Sequence, residues 1–260
     1  MLKTKDLISY LDLANRTNNK AQARISYLRA IKENPTRESL NLDFARFLRD
    51  QKDYKKAESR YRKASIMMPL STAVFLEWGL LLDRQGKLEG QEELFRKTIE
   101  LDPSYVTGLC NLGAVLTDKC KFEEAIIMFE KAPEYNPNHA MTLNNLASIY
   151  LIVGKYDKTL DKLQKALEIN QDHLLGSLNL GLVKSCLGKD AEAKESFKKA
   201  LELLGDNSDK KEMILRGSER LLNLAKENLL KGENDDEKRS HNEKFIKAIE
   251  EMLSVITIEK

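Results

Sequence analysis

Residues 111–137 read NLGAVLTDKCKFEEAIIMFEKAPEYNP. Large apolar residues (Leu112, Phe129) and small ones (Gly113, Ala125, Ala132) recur at helical spacings, and Pro137 closes the stretch. Pro35, Pro69 and Pro103 precede it in steps of 34 residues, so four of the five prolines of this 260-residue chain stand on one lattice. A period of that size marks a repeat array, each unit a supersecondary element that buries its apolar face against its neighbours.

The lattice extends over six windows without a gap: 4–37, 38–71, 72–105, 106–139, 140–173 and 174–207. The eighth residue is small in five of them (Ala45, Gly79, Gly113, Ala147, Gly181), Leu11 being the exception. The twentieth is Ala23, Ala57, Ala125 and Ala193, with Gln91 and Thr159 departing. The seventh and twenty-fourth are large and apolar throughout, for example Phe44 with Tyr61 and Trp78 with Phe95. Small residues on paired helices let their axes approach, and the large ones fill the space beside them. In 140–173, Leu143, Leu146, Ala147 and Tyr150 give one helix face, Leu160, Leu163 and Leu167 give a second, and Gly154 lies between. The lattice proline disfavours helix at the residue before it, so each window reads helix, turn, helix, turn. Pro133, off the lattice, is expected to distort a last helical turn.

This pattern resembles the tetratricopeptide repeat family, with Leu112, Gly113, Ala125, Phe129, Ala132 and Pro137 at the signature places. The resemblance covers 4–207 and implies an all-α fold, an α-solenoid wound as a right-handed superhelix of helix-turn-helix repeats. Such arrays need capped ends. Residues 208–231 supply a candidate capping helix, with Ile214, Leu221, Leu222, Ala225 and Leu229 as its stripe. A charged linker is expected over 232–241. An amphipathic C-terminal helix is expected over 242–258, started by the capping box Ser240 and Glu243. Its apolar face, Phe245, Ile249, Met252 and Ile256, is expected to cover a groove in cis or to make a homo-oligomer contact. A flexible linker of this length spans about 17–20 Å, enough to reach repeats five and six.

Composition excludes several classes. Five prolines, twelve glycines and 32% charged residues do not suit a collagen-like or disordered chain. The net charge of +2 hides an uneven spread. Residues 1–71 hold 16 Lys plus Arg against 8 Asp plus Glu, 72–207 hold 16 against 21, and 208–260 hold 11 against 12. The basic block carries Arg46, Arg49, Lys52, Lys55 and Lys56, read as a solvated surface, next as a site for an acidic protein partner, and last as a nucleic-acid contact. The three cysteines have neither disulfide-framework nor metal-ligand spacing. Charges at Lys3, Lys5, Asp6 and Asp12 interrupt any apolar leader, and no run suits membrane insertion, so a cytoplasmic setting is expected.

No phosphate-binding loop, nucleophile motif or paired-carboxylate pattern is present, so the expectation is a protein that is not an enzyme and carries no cofactor and no metal. Of the three histidines, His139 and His173 end successive windows and are read as exposed turn residues, and His241 ends the polar stretch before the last helix. In the family, the first helices of the pairs line a concave groove, through their second, fifth, sixth, ninth and twelfth residues. That implies a ladder of carboxamides, Asn111, Asn145 and Asn179, with Asn144 beside it. Such amides can read a peptide main chain. Groove positions around them are apolar: Cys110, Ala114, Met141, Leu151, Leu175, Leu178 and Leu182. The family's carboxylate clamp for chaperone tails does not thread, since the places wanting cations hold Cys110, Leu175 and Asn179, or Ile8, Ala73 and Glu77. The reading is a scaffold or adaptor that binds a peptide segment in its groove. The alternatives are a self-associating targeting or regulatory module of a larger assembly and, more weakly, an RNA-associated scaffold.

Overall fold

The computed structural model describes residues 19–87, 89–230 and 236–258. Thirteen helices and no strand occur among them. In order they are α1 (Lys20–Glu33), α2 (Ser39–Asp50), α3 (Tyr54–Met67), α4 (Thr72–Arg84), α5 (Gln91–Leu101), α6 (Val106–Asp118) and α7 (Phe122–Tyr135). Then come α8 (Ala140–Ile152), α9 (Tyr156–Ile169), α10 (Leu174–Cys186), α11 (Asp190–Leu204), α12 (Ser208–Leu230) and α13 (Asp236–Ile258). The chain divides into two compact units, Met1–Gly108 and Leu109–Lys260, with the boundary in α6. The exceptional Leu11 lies outside the described residues.

The helix pairs close where a small residue meets a ring. A Cβ built on Gly79 would stand 2.5 Å from Phe95, and one on Gly113 would stand 2.8 Å from Phe129. At Gly181 the Phe197 ring is closer still. Alanine serves where the partner leaves slightly more room, and Ala45 and Ala147 are fully buried. In the first unit, Tyr27 stacks on Phe44 (centroids 5.1 Å apart) within a core that also holds Tyr61 and Leu81.

A second lattice lies in the turns. Lys52, Gly86, Cys120, Gly154 and Gly188, again 34 residues apart, all have positive φ, between 57° and 75°. Each ends the first helix of a pair, and the next N–H reaches back five residues, as in Lys155 to Tyr150 (2.8 Å) and Lys189 to Lys184 (2.9 Å). This left-handed cap satisfies carbonyls that the helix end leaves open, and glycine adopts it without steric penalty.

Local departures have local effects. Pro133 does not cut its helix short: α7 runs through it to Tyr135, because the proline falls in the last turn and removes only its own N–H. At the twentieth place of the third window, Gln91 is buried and donates from Nε2 to the Lys87 carbonyl (2.8 Å). There α5 begins only at Gln91, behind Gly90 at φ 83°, and an open pocket of about 830 Å³ lies beside Phe75, Trp78 and Leu94.

The C-terminal segment differs from the expected layout. The capping helix of 208–231 is not stacked on the end of the array: α12 packs chiefly on α13, and its Arg220 pairs with Asp118 at the end of α6. Most of the expected linker 232–241 is helical, since α13 begins at Asp236. Ser240 and Glu243 are therefore interior, and Glu243 pairs with Arg239 (3.3 Å). Four carboxylates and cations crowd 236–239, yet helix propensity and the packing of the apolar residues from Phe245 onward carry α13 through them.

Gly181→Ala is expected to lower stability by about 1–3 kcal/mol through overpacking against Phe197. Gly217→Ala in α12, where a Cβ would meet nothing within 4 Å, is expected to raise it by up to about 1 kcal/mol. Chemical denaturation of the two variants checks the opposite signs.

Candidate protein-binding groove and its covering helix

Within the second unit the first helices of successive pairs are neighbours. Cys110 Sγ lies 3.6 Å from Thr142 Oγ1, linking α6 to α8. Asn179 Nδ2 donates to Asn144 Oδ1 (2.9 Å) and Ser148 Oγ (2.8 Å), linking α8 to α10. The shared face has two parts.

One part, around Met141, is open. Met141 is 55% exposed, Ala114 is exposed, and Cys110, Asn111, Asn145, Leu175 and Asn179 are half-buried. The carboxamides are partly engaged with the protein itself. Asn145 hydrogen-bonds Cys110, and Asn144, expected as a free amide beside the ladder, is buried as the acceptor of Asn179. A ladder position therefore has fewer free donors than the sequence suggested, because neighbouring first helices are close enough to bond one another.

The other part is covered. Leu151, Leu178 and Leu182, expected to be exposed groove residues, are 1%, 5% and 1% exposed. Two packings contribute: α8 and α10 lie against each other, and α13 packs on α10 and more lightly on α11. Phe245, Ile249, Met252 and Ile256 are each at most 2% exposed, so this face is packed within its own chain. Burying a leucine is worth about 1.5–3 kcal/mol, so this cover relieves an otherwise exposed apolar strip.

Polar contacts fix the register of α13. His241, expected at the end of the charged linker, is an interior residue of the helix, seated on the α8–α9 turn. Its Nε2 donates to the Ile152 carbonyl (3.0 Å), and its Nδ1 accepts from the Tyr156 hydroxyl (2.7 Å). The Phe245 ring stacks on the imidazole (centroids 5.8 Å), and Gly154 permits the approach, since a Cβ there would lie 3.2 Å from the ring. Burial, with Lys244 nearby, holds the His241 pKa below its ordinary 6.5, against the hydrogen bond to Ile152. Burial pushes the adjoining Cys186 thiol up to about 12, leaving it an unreactive packing group. Farther along α13, Ser185 Oγ donates to Glu251 (2.9 Å). Nothing in the periodicity marks His241. Its one sequence signal is that its place in the apolar stripe is i−4 to Phe245.

The other histidines act at helix starts. His139, exposed, bonds Thr142 through Nδ1 (2.7 Å), and His173 Nδ1 accepts from the Gly176 N–H (2.8 Å) at the head of α10. Among the described residues no group of three or more His, Cys, Asp or Glu could hold a metal.

In the first unit, two members of the expected basic surface are committed internally. Arg46 chelates Glu77 through Nε (2.9 Å) and contacts Asp43, while Arg49 reaches Glu77 (3.3 Å) and Asp50. The Tyr61 hydroxyl donates to the same carboxylate (3.1 Å). Glu77, with Asp43 and Asp50, thus pairs with the two arginines, leaving Lys52 and Lys55 exposed and Lys56 beside Asp53 (3.2 Å).

Three tetratricopeptide repeat models match residues 42–106, 106–139 and 138–206, together spanning the greater part of the chain; it belongs to the tetratricopeptide repeat family. No curated protein sequence matches it. Among solved structures it is similar to the MamA protein, at 23% identity and a TM-score of 0.58, over 64% of this chain and 91% of that one. It is also similar to YrrB, described as a TPR protein with an unusual peptide-binding site, at 19% identity and a TM-score of 0.58, over 70% and 93%. A tetratricopeptide repeat protein from Parabacteroides merdae ATCC 43184 matches over 97% of this chain and 99% of its own, at 15% identity and a TM-score of 0.69. At these identities the likeness speaks for the α-solenoid fold. The family supports a protein-interaction scaffold. No helix among the described residues is long and apolar enough to cross a membrane.

Both the imidazole seat and the Glu77 cluster can be tested by stability. Because the folded state depresses the pKa of His241, its contribution to stability is full above pH about 6.5 and is lost as pH falls below that value. His173, also held low by burial, adds a loss of the same sign. Urea titrations between pH 7.5 and 5.5 are expected to show this loss, reduced but not abolished in His241→Gln. Glu77→Ala, which strands Arg46 and Arg49, is expected to lower stability by about 1.5–3 kcal/mol in the same assay.

Proposed function

We propose that this chain is a non-enzymatic adaptor that binds a peptide segment of a protein partner along the open part of the α6–α8–α10 face. The observation that carries this reading is Met141, 55% exposed between half-buried Cys110, Asn145, Leu175 and Asn179. An exposed methionine with amides beside it offers adaptable apolar contact together with main-chain hydrogen bonding. The solvated lysines Lys52 and Lys55 are the remaining basic surface for an acidic partner. Three unpaired thiols, at Cys110, Cys120 and Cys186, agree with a reducing, cytoplasmic setting.

Affinity capture from the source cell, followed by cross-linking mass spectrometry, tests the reading when wild type is run beside Met141→Glu/Asn145→Asp. A captured protein cross-linked beside α6 and α8, and depleted at least severalfold by the substitutions, supports it. Cross-links that map elsewhere and persist in the variant overturn it.

A further inference from the structure

The hairpin of α12 and α13 is placed unlike an end cap. A cap for the array would sit on α11, the second helix of the last pair. Instead, among the repeat helices α13 packs mainly on α10, and its His241 reaches back to the Ile152–Tyr156 turn of the preceding pair. Arg220 of α12 reaches farther back, to Asp118 of α6. The hairpin therefore runs along the face that the first helices share, beside the open part of the groove.

We infer that the face of α10 beneath α13, with the α8–α9 turn at its edge, is a docking site for an amphipathic helix of a partner protein, and that α13 occupies it as this chain's own competing ligand. The inference rests on the scaffold reading and specifies its partner. The occupant in place defines the chemistry: Phe245, Ile249, Met252 and Ile256 at spacings of 0, 4, 7 and 11 residues, with the small Ala248 against the face and fully buried. A partner helix needs an aromatic residue at the first of these places and aliphatic or methionine side chains at the others. Such i, i+4, i+7 anchors are how an amphipathic helix fills an apolar groove.

The contacts that retain α13 are replaceable. Its polar links to the repeats include His241 with Tyr156 and Ile152, and Ser185 with Glu251, each of which a partner helix could supply. Its companion α12 is lightly held: Met213 is 54% exposed, a Cβ at Gly217 would meet nothing within 4 Å, and Lys226 with Glu250 is an exposed pair. The chain leaves the array at Gly205, with φ 53° and ψ −149°, a conformation that only glycine adopts readily. Retention in cis comes instead from tethering, which gives α13 an effective concentration on the order of mM. A partner must compete with that, so the site answers only to a well-matched or locally concentrated helix.

The probe is a fluorescein-labelled synthetic peptide of residues 236–258, titrated by anisotropy into the full chain. Wild type is expected to bind it weakly. Ile249→Asp/Met252→Asp, which disables the helix in cis, is expected to bind it at least about tenfold more tightly. A peptide bearing Ile249→Asp should bind neither. If the double variant loses its helical circular dichroism, His241→Ala gives the same readout with a smaller gain. No peptide binding by a folded variant, or equal binding by variant and wild type, overturns the inference. Light scattering showing wild type as a dimer that the double variant dissolves also overturns it, since the occupant is then a second copy. The experiment uses purified components and leaves Met141 intact. Its failure is therefore distinct from failure of the open-face reading.

Discussion

Each helix pair closes where a residue with little or no side chain lies under a large one, and the rest of the fold depends on how close that brings the axes. Phe95 against Gly79, Phe129 against Gly113 and Phe197 against Gly181 leave no room for even one methyl group. With the axes that near, Leu112, Leu146 and Leu163 fall into a core with almost no exposure. Within the second unit the first helices of successive pairs are then neighbours, near enough for Asn179 to bond Asn144. The same spacing produces both the apolar strip that needs covering and the partial engagement of the amide ladder.

Much of this was legible because it repeats. A single Gly–Phe pair means little, but the same pair at 34-residue steps is a packing rule, and the helix pairs appear where the lattice puts them. The left-handed caps were only half visible. Gly86, Gly154 and Gly188 carry a compositional mark, whereas Lys52 and Cys120 take the same conformation with side chains that give no hint of it. The site was less legible, because periodicity reports how a repeat packs on itself and not what later covers it. Leu178 and Leu182 satisfy the groove pattern and are buried by a segment some sixty residues on. Charge misled in the same way: Arg46 and Arg49 belong to a run of cations, but Glu77, about thirty residues away, meets both.

The C-terminal hairpin changes what the array presents. An uncovered face would offer Leu151, Leu178 and Leu182 to any apolar helix. With α13 seated, the available surface contracts to the open end around Met141, and the covered part becomes conditional. Register is set by the glycine turn at Gly154, where the imidazole of His241 finds a carbonyl and a hydroxyl, so the cover is a specific contact rather than a general apolar collapse. The neutral imidazole that this geometry requires also ties the cover to pH.

Both the open groove end and the conditional covered part require α13 to lie on the groove of its own chain. Hydrogen–deuterium exchange over residues 236–258, followed across a hundredfold range of protein concentration, is the decisive experiment. Amide protection comparable to that of α10, and independent of concentration, is expected. Exchange at the rate of an unstructured peptide would mean that the groove is uncovered, and protection that grows with concentration would mean that a second copy covers it.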